Sequence, residues 1–222
     1  MRQNKKPNEC QLMIRLKNGG CERKQMIVYH YSQTLKAGDR LEPGHMDFTD
    51  LCEPFLRALT HGRDCLFSML LNGKYLFAVL NRSNLRYWAD YAKWATEGLF
   101  EFVRRTEYPQ CVSRLKCNYF CASLQDCVRM FHENWDEEEE EEKEKVRLFE
   151  IEVPEDVLEM RDISLYDAAY DAISDAQDVD AAMDCARKYF EGGHSEEPNW
   201  EYLSAGDAKA VKDISHYLHE QE

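Results

Sequence analysis

No apolar run in this chain approaches the roughly 20 residues that a membrane-spanning helix needs. The opening residues, MRQNKKPNEC, are polar and basic and contain no apolar h-region of a secretory signal. Excess positive charge is also missing. The 28 Lys and Arg face 42 Asp and Glu, a formal net charge of −14, which argues against a broad cationic surface for gripping phosphate backbones. No G-x-G-x-x-G follows a strand pattern, and Walker, H-E-x-x-H and G-x-S-x-G motifs do not occur, so the common nucleotide and hydrolase fingerprints are excluded. There is no internal repeat and no linker long enough to divide domains. The expectation is a cytoplasmic protein that does not enter a membrane.

The composition is that of an ordered protein, with 44% hydrophobic and 12% aromatic residues in 222, enough for a proper core. The nine cysteines are odd in number, and a reducing compartment predicts free thiols. Cys111, Cys117, Cys121 and Cys127 are separated by five, three and five residues, unlike the close ligand pairs of structural zinc, so no metal site is expected. Cys117 and Cys121 are expected on one side of a strand as small buried thiols.

Along the chain, residues 1–24 read as a leader or arm containing QLMIRL, and residues 25–222 as one α+β domain with an acidic insertion near 136–145. Met26–Ser32 is a buried strand. Asp47–Arg63 reads as a helix with Pro54 in its first turn or at a kink. The stretch CLFSMLLNGKYLFAVLN fits two strands around Asn72-Gly73 or helix, turn and helix. Arg86–Arg105 is a helix with Gly98 as a candidate break, and with Arg104 and Arg105 on a solvated face. Val112–Ala122 is extended, and Ser123 caps a helix over LQDCVRMFHENW. The run DEEEEEEKEK is an exposed, self-repelling connection or helix extension. Val146–Pro154 alternates as a strand, and two acidic, Ala-rich helices stop at Gly192-Gly193. WEYL is a strand, and AVKDI starts a last strand or a closing helix.

Polar residues embedded in aromatic strands stand out: His30 in VYHYS, Arg114 and Tyr119 in SRLKCNYF, and Glu201 in WEYL. A carboxylate is expensive to desolvate, so Glu201 either alternates outward to solvent or faces a pocket. A strand histidine is ordinarily a satisfied core residue, and Tyr119 and Phe120 are ordinary core aromatics.

Taken in order, the early strand His with LKAGDRL, EFVRRTEYPQCVSRLKCNYFCASLQDC, VRLFEIEV, ARKYFEGG and WEYL resemble an uncharacterised, mainly bacterial family. That family has an ADP-ribosyltransferase-like fold akin to the diphtheria-toxin and poly(ADP-ribose)-polymerase branch. The resemblance spans about Met26 to Ile214. It implies a split antiparallel sheet with flanking helices, and NAD as a substrate. Carried over residue by residue, His30 would bond the adenosine-side ribose, and Tyr119, or its neighbour Phe120, would stack on nicotinamide. Ser113 and Arg114 would hold the pyrophosphate or the sheet, and Glu201 would be the catalytic acid on the nicotinamide ribose. Cys111-Val112 stands where the group often has a second Pro.

Such a carboxylate stabilises oxocarbenium character as the nicotinamide–ribose bond breaks. The implied function is transfer of ADP-ribose from NAD to a macromolecular acceptor, protein or nucleic acid, in a toxin, phage-related or defence role, with a neutralising partner protein. His30 and Glu201 are then expected to face one cleft. The alternatives are a non-catalytic acidic module that binds a basic partner through DEEEEEEKEK and the Ala-Asp helices, or an RNA 2′-phosphotransferase-like enzyme.

Overall fold

A computed structural model describes residues 23–44, 47–80, 91–135 and 138–219, and of 73–80 the backbone alone. The leader up to residue 22, the start of the Arg86–Arg105 helix and Glu137 lie outside the described residues. No described helix is long and apolar enough to cross a membrane. Both strands and helices are present, interleaved along the chain, in an α+β arrangement. Contacts gather them into two compact units, each discontinuous in sequence: residues 1–43, 118–160 and 200–222, and residues 44–117 with 161–199.

The first unit is built on a sheet. Alternation in QMIVYHYS makes β1 (Gln25–Ser32), and RLFEIEVP makes β4 (Arg147–Pro154). The two pair antiparallel in unbroken register from Gln25↔Pro154 to Ser32↔Arg147. With β2 (Arg40–Leu41), β3 (Asn118–Cys121), β5 (Leu158–Asp162), β6 (Trp200–Ser204) and β7 (Ala208–Asp213), they form a seven-stranded sheet of order β2-β7-β4-β1-β3-β6-β5. The sheet is continuous rather than split, but one joint is thin, because β1 and β3 share a single register pair, Tyr29↔Cys121.

One sheet face carries an apolar cluster of Val28, Phe120, Phe149, Ile151, Val153, Ala208 and Ala210. The other packs under α4 (Leu124–Trp135) through Cys121, Cys127, Phe131, Val146, Leu148 and Ile214. Ser123 caps α4 as expected: its Oγ accepts from the Asp126 backbone N–H at 3.0 Å and donates to Asp126 Oδ2 at 2.7 Å. The acid run forms one helical turn, α5 (Glu140–Lys143). Lys145 pairs with Glu141 and Glu142, and Gln33 Nε2 donates to Glu142, so these partners offset part of the self-repulsion expected of the run.

The second unit is helical, with α1 (Thr49–Thr60), α2 (Arg63–Leu80), α3 (Tyr91–Glu107), α6 (Ser164–Asp171) and α7 (Val179–Phe190). Pro54 lies inside α1, past its first turn. The Asn72-Gly73 pair makes neither hairpin nor break; α2 runs through it, and the Asn72 side-chain amide donates to the Ser68 carbonyl at 2.8 Å. Gly98 does not interrupt α3. It is where α1 comes close, since a Cβ there would stand 3.1 Å from Phe55 Cβ and 3.3 Å from the Cys52 carbonyl. The stretch read as extended over Val112–Ala122 holds a 3-10 turn at Arg114–Lys116 and a strand only from Asn118, so Cys117 is not on a strand with Cys121. Asp178 caps α7, and Gly192 at φ 77° ends it, with the Gly193 N–H bonding back to Lys188 at 2.8 Å.

Candidate functional site

His30 sits on β1 just past the single pair that joins β1 to β3. There its imidazole replaces the missing ladder contact: Nδ1 donates to the Tyr119 carbonyl at 3.1 Å. The ring meets Phe120 edge-on, with centroids 6.0 Å apart. Burial pushes the His30 pKa below its usual 6.5, with the bond to the Tyr119 carbonyl opposing. The ring is therefore neutral near pH 7. Because a carbonyl can only accept, the proton is on Nδ1 and Nε2 presents a lone pair.

Strand register decides what shares a face with His30. Residues directly opposite each other in an antiparallel pair point the same way, and neighbours along a strand point oppositely. Tyr29 is opposite Cys121, and Cys121 is opposite Glu201. Glu201 thus lies on the Tyr29 face, and His30 lies on the other. The expectation of His30 and Glu201 in one cleft is corrected by this register. Side chains alternate with period two, so an offset of one residue exchanges faces.

Glu201 is nevertheless no solvent-facing acid, being 4% exposed. Tyr119 is opposite Leu203 and shares the Glu201 face, so its backbone carbonyl, not its ring, meets His30. The residue beside His30 is Phe120, whose strand partner is Tyr202. His30, Phe120 and Tyr202 form a row across three neighbouring strands, with Phe120 buried and the other two half-buried. Tyr202 is not among the residues that the sequence singles out. Its alternation within WEYL was the available signal, but sequence could not say which parity of the strand faces His30.

Ser113 and Arg114 belong to the helical unit and are bonded within it. Ser113 Oγ donates to Glu101 Oε2 at 2.8 Å. Glu101 also receives both arms of Arg104 at 2.9 Å and Arg105 Nε at 2.7 Å. Burial alone would raise the Glu101 pKa, but the bonds from Arg104, Arg105 and Ser113 outweigh it and hold the carboxyl below the usual range. Arg104, with 15% of its side chain exposed, is therefore no solvated-face residue, whereas Arg105 at 46% is half in water.

Arg114 is buried at 5% exposure. Its Nε and Nη2 reach Glu97 at 3.3 and 3.4 Å, Nη1 donates to the Tyr189 hydroxyl at 2.7 Å, and the guanidinium lies 4.4 Å from the Tyr166 ring centre. Arg114 draws α3, α6 and α7 together at the level of the motif that follows α3.

Cys52, Cys65, Cys111, Cys117, Cys121, Cys127 and Cys185 are free thiols, of which Cys52, Cys121 and Cys127 are buried. Its contact with Cys121 and its burial push the Cys127 thiol far up, and burial does the same to Cys52. Such thiols are inert packing groups at neutral pH.

Among characterised, curated proteins none matches the chain. Residues 64–216, more than half of the chain and including Ser113, Arg114, Phe120, Glu201 and Tyr202, match a family described as "Protein of unknown function (DUF2441)", and the chain belongs to that family.

Proposed function

We propose that the chain is an ADP-ribosyltransferase-like protein that binds NAD along the row His30–Phe120–Tyr202 and passes its ADP-ribose to a macromolecular acceptor. The observation that carries this reading is the row itself. It offers a neutral imidazole with Nε2 as acceptor for a ribose hydroxyl, beside an aromatic ring and a phenol on the same sheet face. The flat rings suit nicotinamide or adenine. The order of motifs along the chain supports the same fold type.

The acid role assigned to Glu201 does not fit this face. Tyr202 can bond a sugar hydroxyl but brings no charge to a developing oxocarbenium ion. That orientation favours a second reading, a non-catalytic module on the same fold whose site holds NAD without turning it over, distinct from an acidic module that binds a basic partner.

The test is thermal unfolding with and without NAD, followed by incubation of cell lysate with NAD labelled in its ADP-ribose. A ligand of the folded state at 100 times its Kd adds about 2.7 kcal/mol of stability. His30→Ala and Tyr202→Ala should lose the NAD-induced shift and Glu201→Gln should keep it. A shift with no label transferred leaves the module reading. No shift at millimolar NAD overturns both.

A further inference from the structure

The helical unit carries a surface that neither NAD reading uses. The first turn of α2 and the elbow between α6 and α7 enclose an open cavity of about 380 Å³, lined by Arg63, Asp64, Phe67, Gln177, Asp178 and Val179, with Asp180 at its side. The elbow is made by a π turn, Ala172–Ala176, and by Gln177 in the left-handed region at φ 54°. Asp178 then caps α7 by accepting the Ala181 N–H at 3.0 Å.

Two features define what could sit there. The first is apolar: Phe67 is 42% exposed, and Leu71, one turn further along the same face of α2, is 59% exposed. The second is charge. The lining cation Arg63 is bonded to Asp180, which leaves Asp64 and Asp178 to set the sign of the cavity. Asp167 and Asp171 on α6, Asp175 in the elbow and Asp184 on α7 are exposed. Arg187 of α7 is paired to Glu107 and Asp184, and Lys188 is the exposed cation beside them.

We infer that this elbow is a docking surface for a basic segment of a protein partner, one that presents Arg or Lys beside an apolar side chain. The cationic head would meet Asp64 and Asp178, its aliphatic stem would cover the Phe67 ring, and the apolar neighbour would lie on Leu71. Charge complementarity favours this occupant over the others. The phosphates of a nucleic acid or of NAD would be repelled, and the cavity is at the small end of the roughly 300–1,000 Å³ of ligand sites. A free polyamine would satisfy the carboxylates and leave Phe67 and Leu71 bare. The inference is independent of the NAD site, which lies on other residues.

The test uses the full chain and a fluorescent peptide that repeats Arg-Leu, read by anisotropy, with an Arg-Ser peptide and spermine as references. The Arg-Leu peptide should bind most tightly, more weakly as salt rises. Asp64→Asn with Asp178→Asn, which keeps the helix cap, should weaken it about tenfold, taking about two- to fivefold per exposed carboxylate. Phe67→Ser with Leu71→Ser should remove the advantage over Arg-Ser. Neutralising Glu139, Glu140 and Glu141 on and beside α5 should change nothing, which separates this surface from general negative charge. Melting curves confirm that each variant is folded. The inference is overturned if the α5 variant loses as much as the cavity variant, if Arg-Ser or spermine binds equally well, or if millimolar Arg-Leu peptide does not bind.

Discussion

Replacing Glu97 by Gln tests whether Arg114 is a structural clasp or a ligand group. Both side chains are nearly buried, Arg114 at 5% and Glu97 at 7%, so the change removes a carboxylate from beside a guanidinium inside the helical unit. Breaking a buried pair in this way typically costs about 3–5 kcal/mol. The two contacts are long for charge-assisted bonds, at 3.3 and 3.4 Å, and Arg114 keeps the Tyr189 hydroxyl at 2.7 Å and the Tyr166 ring at 4.4 Å. These facts point to the lower end, about 3 kcal/mol. At roughly 2–4 °C per kcal/mol for a chain of this size, the melting temperature should fall by about 6–12 °C.

Adding Arg114→Met removes the guanidinium as well and should restore most of the loss, with about 1 kcal/mol still missing for the bond lost by Tyr189. Urea and thermal unfolding of the two single variants and the double variant give the coupling directly. A cost below about 1 kcal/mol for Glu97→Gln, or strictly additive changes in the double variant, would refute the clasp. The refolded double variant also reports on function. If Arg114 holds a pyrophosphate, the double variant loses any stabilisation by NAD; a clasp predicts that the stabilisation survives.

Glu201→Gln should lower the melting temperature, because Glu201 is a buried acid, while any NAD-induced shift and turnover stay as in the parent; a selective fall in kcat would return Glu201 to the chemistry. His30 has a folded pKa below 6.5, so the unfolded chain takes up a proton first. Stability should be full above about pH 6.5 and fall as pH drops toward the folded value, and His30→Gln should flatten that slope in melting curves across pH 4.5–7.5. Gly98→Val places carbon against Phe55 and Cys52 and should cost about 1–3 kcal/mol in urea unfolding, even though Val has the higher helix propensity. Replacing Glu139, Glu140 and Glu141 by Gln should change stability by no more than about 0.5 kcal/mol, since all three are exposed.

Period-two alternation placed β1 and β4 in the sequence because their residues carry the information locally: apolar and polar positions exchange at every step. Capping chemistry placed the start of α4 at Ser123 and the end of α7 at Gly192-Gly193 for the same reason. Local rules misread the Asn72-Gly73 pair. A turn dipeptide flanked by apolar residues signals a hairpin, but on α2 the Asn72 amide bonds the preceding turn and the helix continues. Gly98 likewise looks like a breaker and serves as the point of contact with α1.

The sequence by itself determined that helices and strands are interspersed along this chain, where several of them begin and end, and that His30, Arg114, Tyr119 and Glu201 are polar residues in apolar surroundings. Only the tertiary structure decided which of them meet. That a strand alternates is a local property, but which of its two faces adjoins a neighbour's histidine depends on register, which long-range pairing sets. Thus Tyr29↔Cys121↔Glu201 turned the acid away from His30 and brought Phe120 and Tyr202 to it. The partners of Arg114 were likewise beyond reach of the sequence. Glu97 precedes it by 17 residues and Tyr189 follows it by 75, and nothing short of packing three helices together brings those charges and rings within bonding distance.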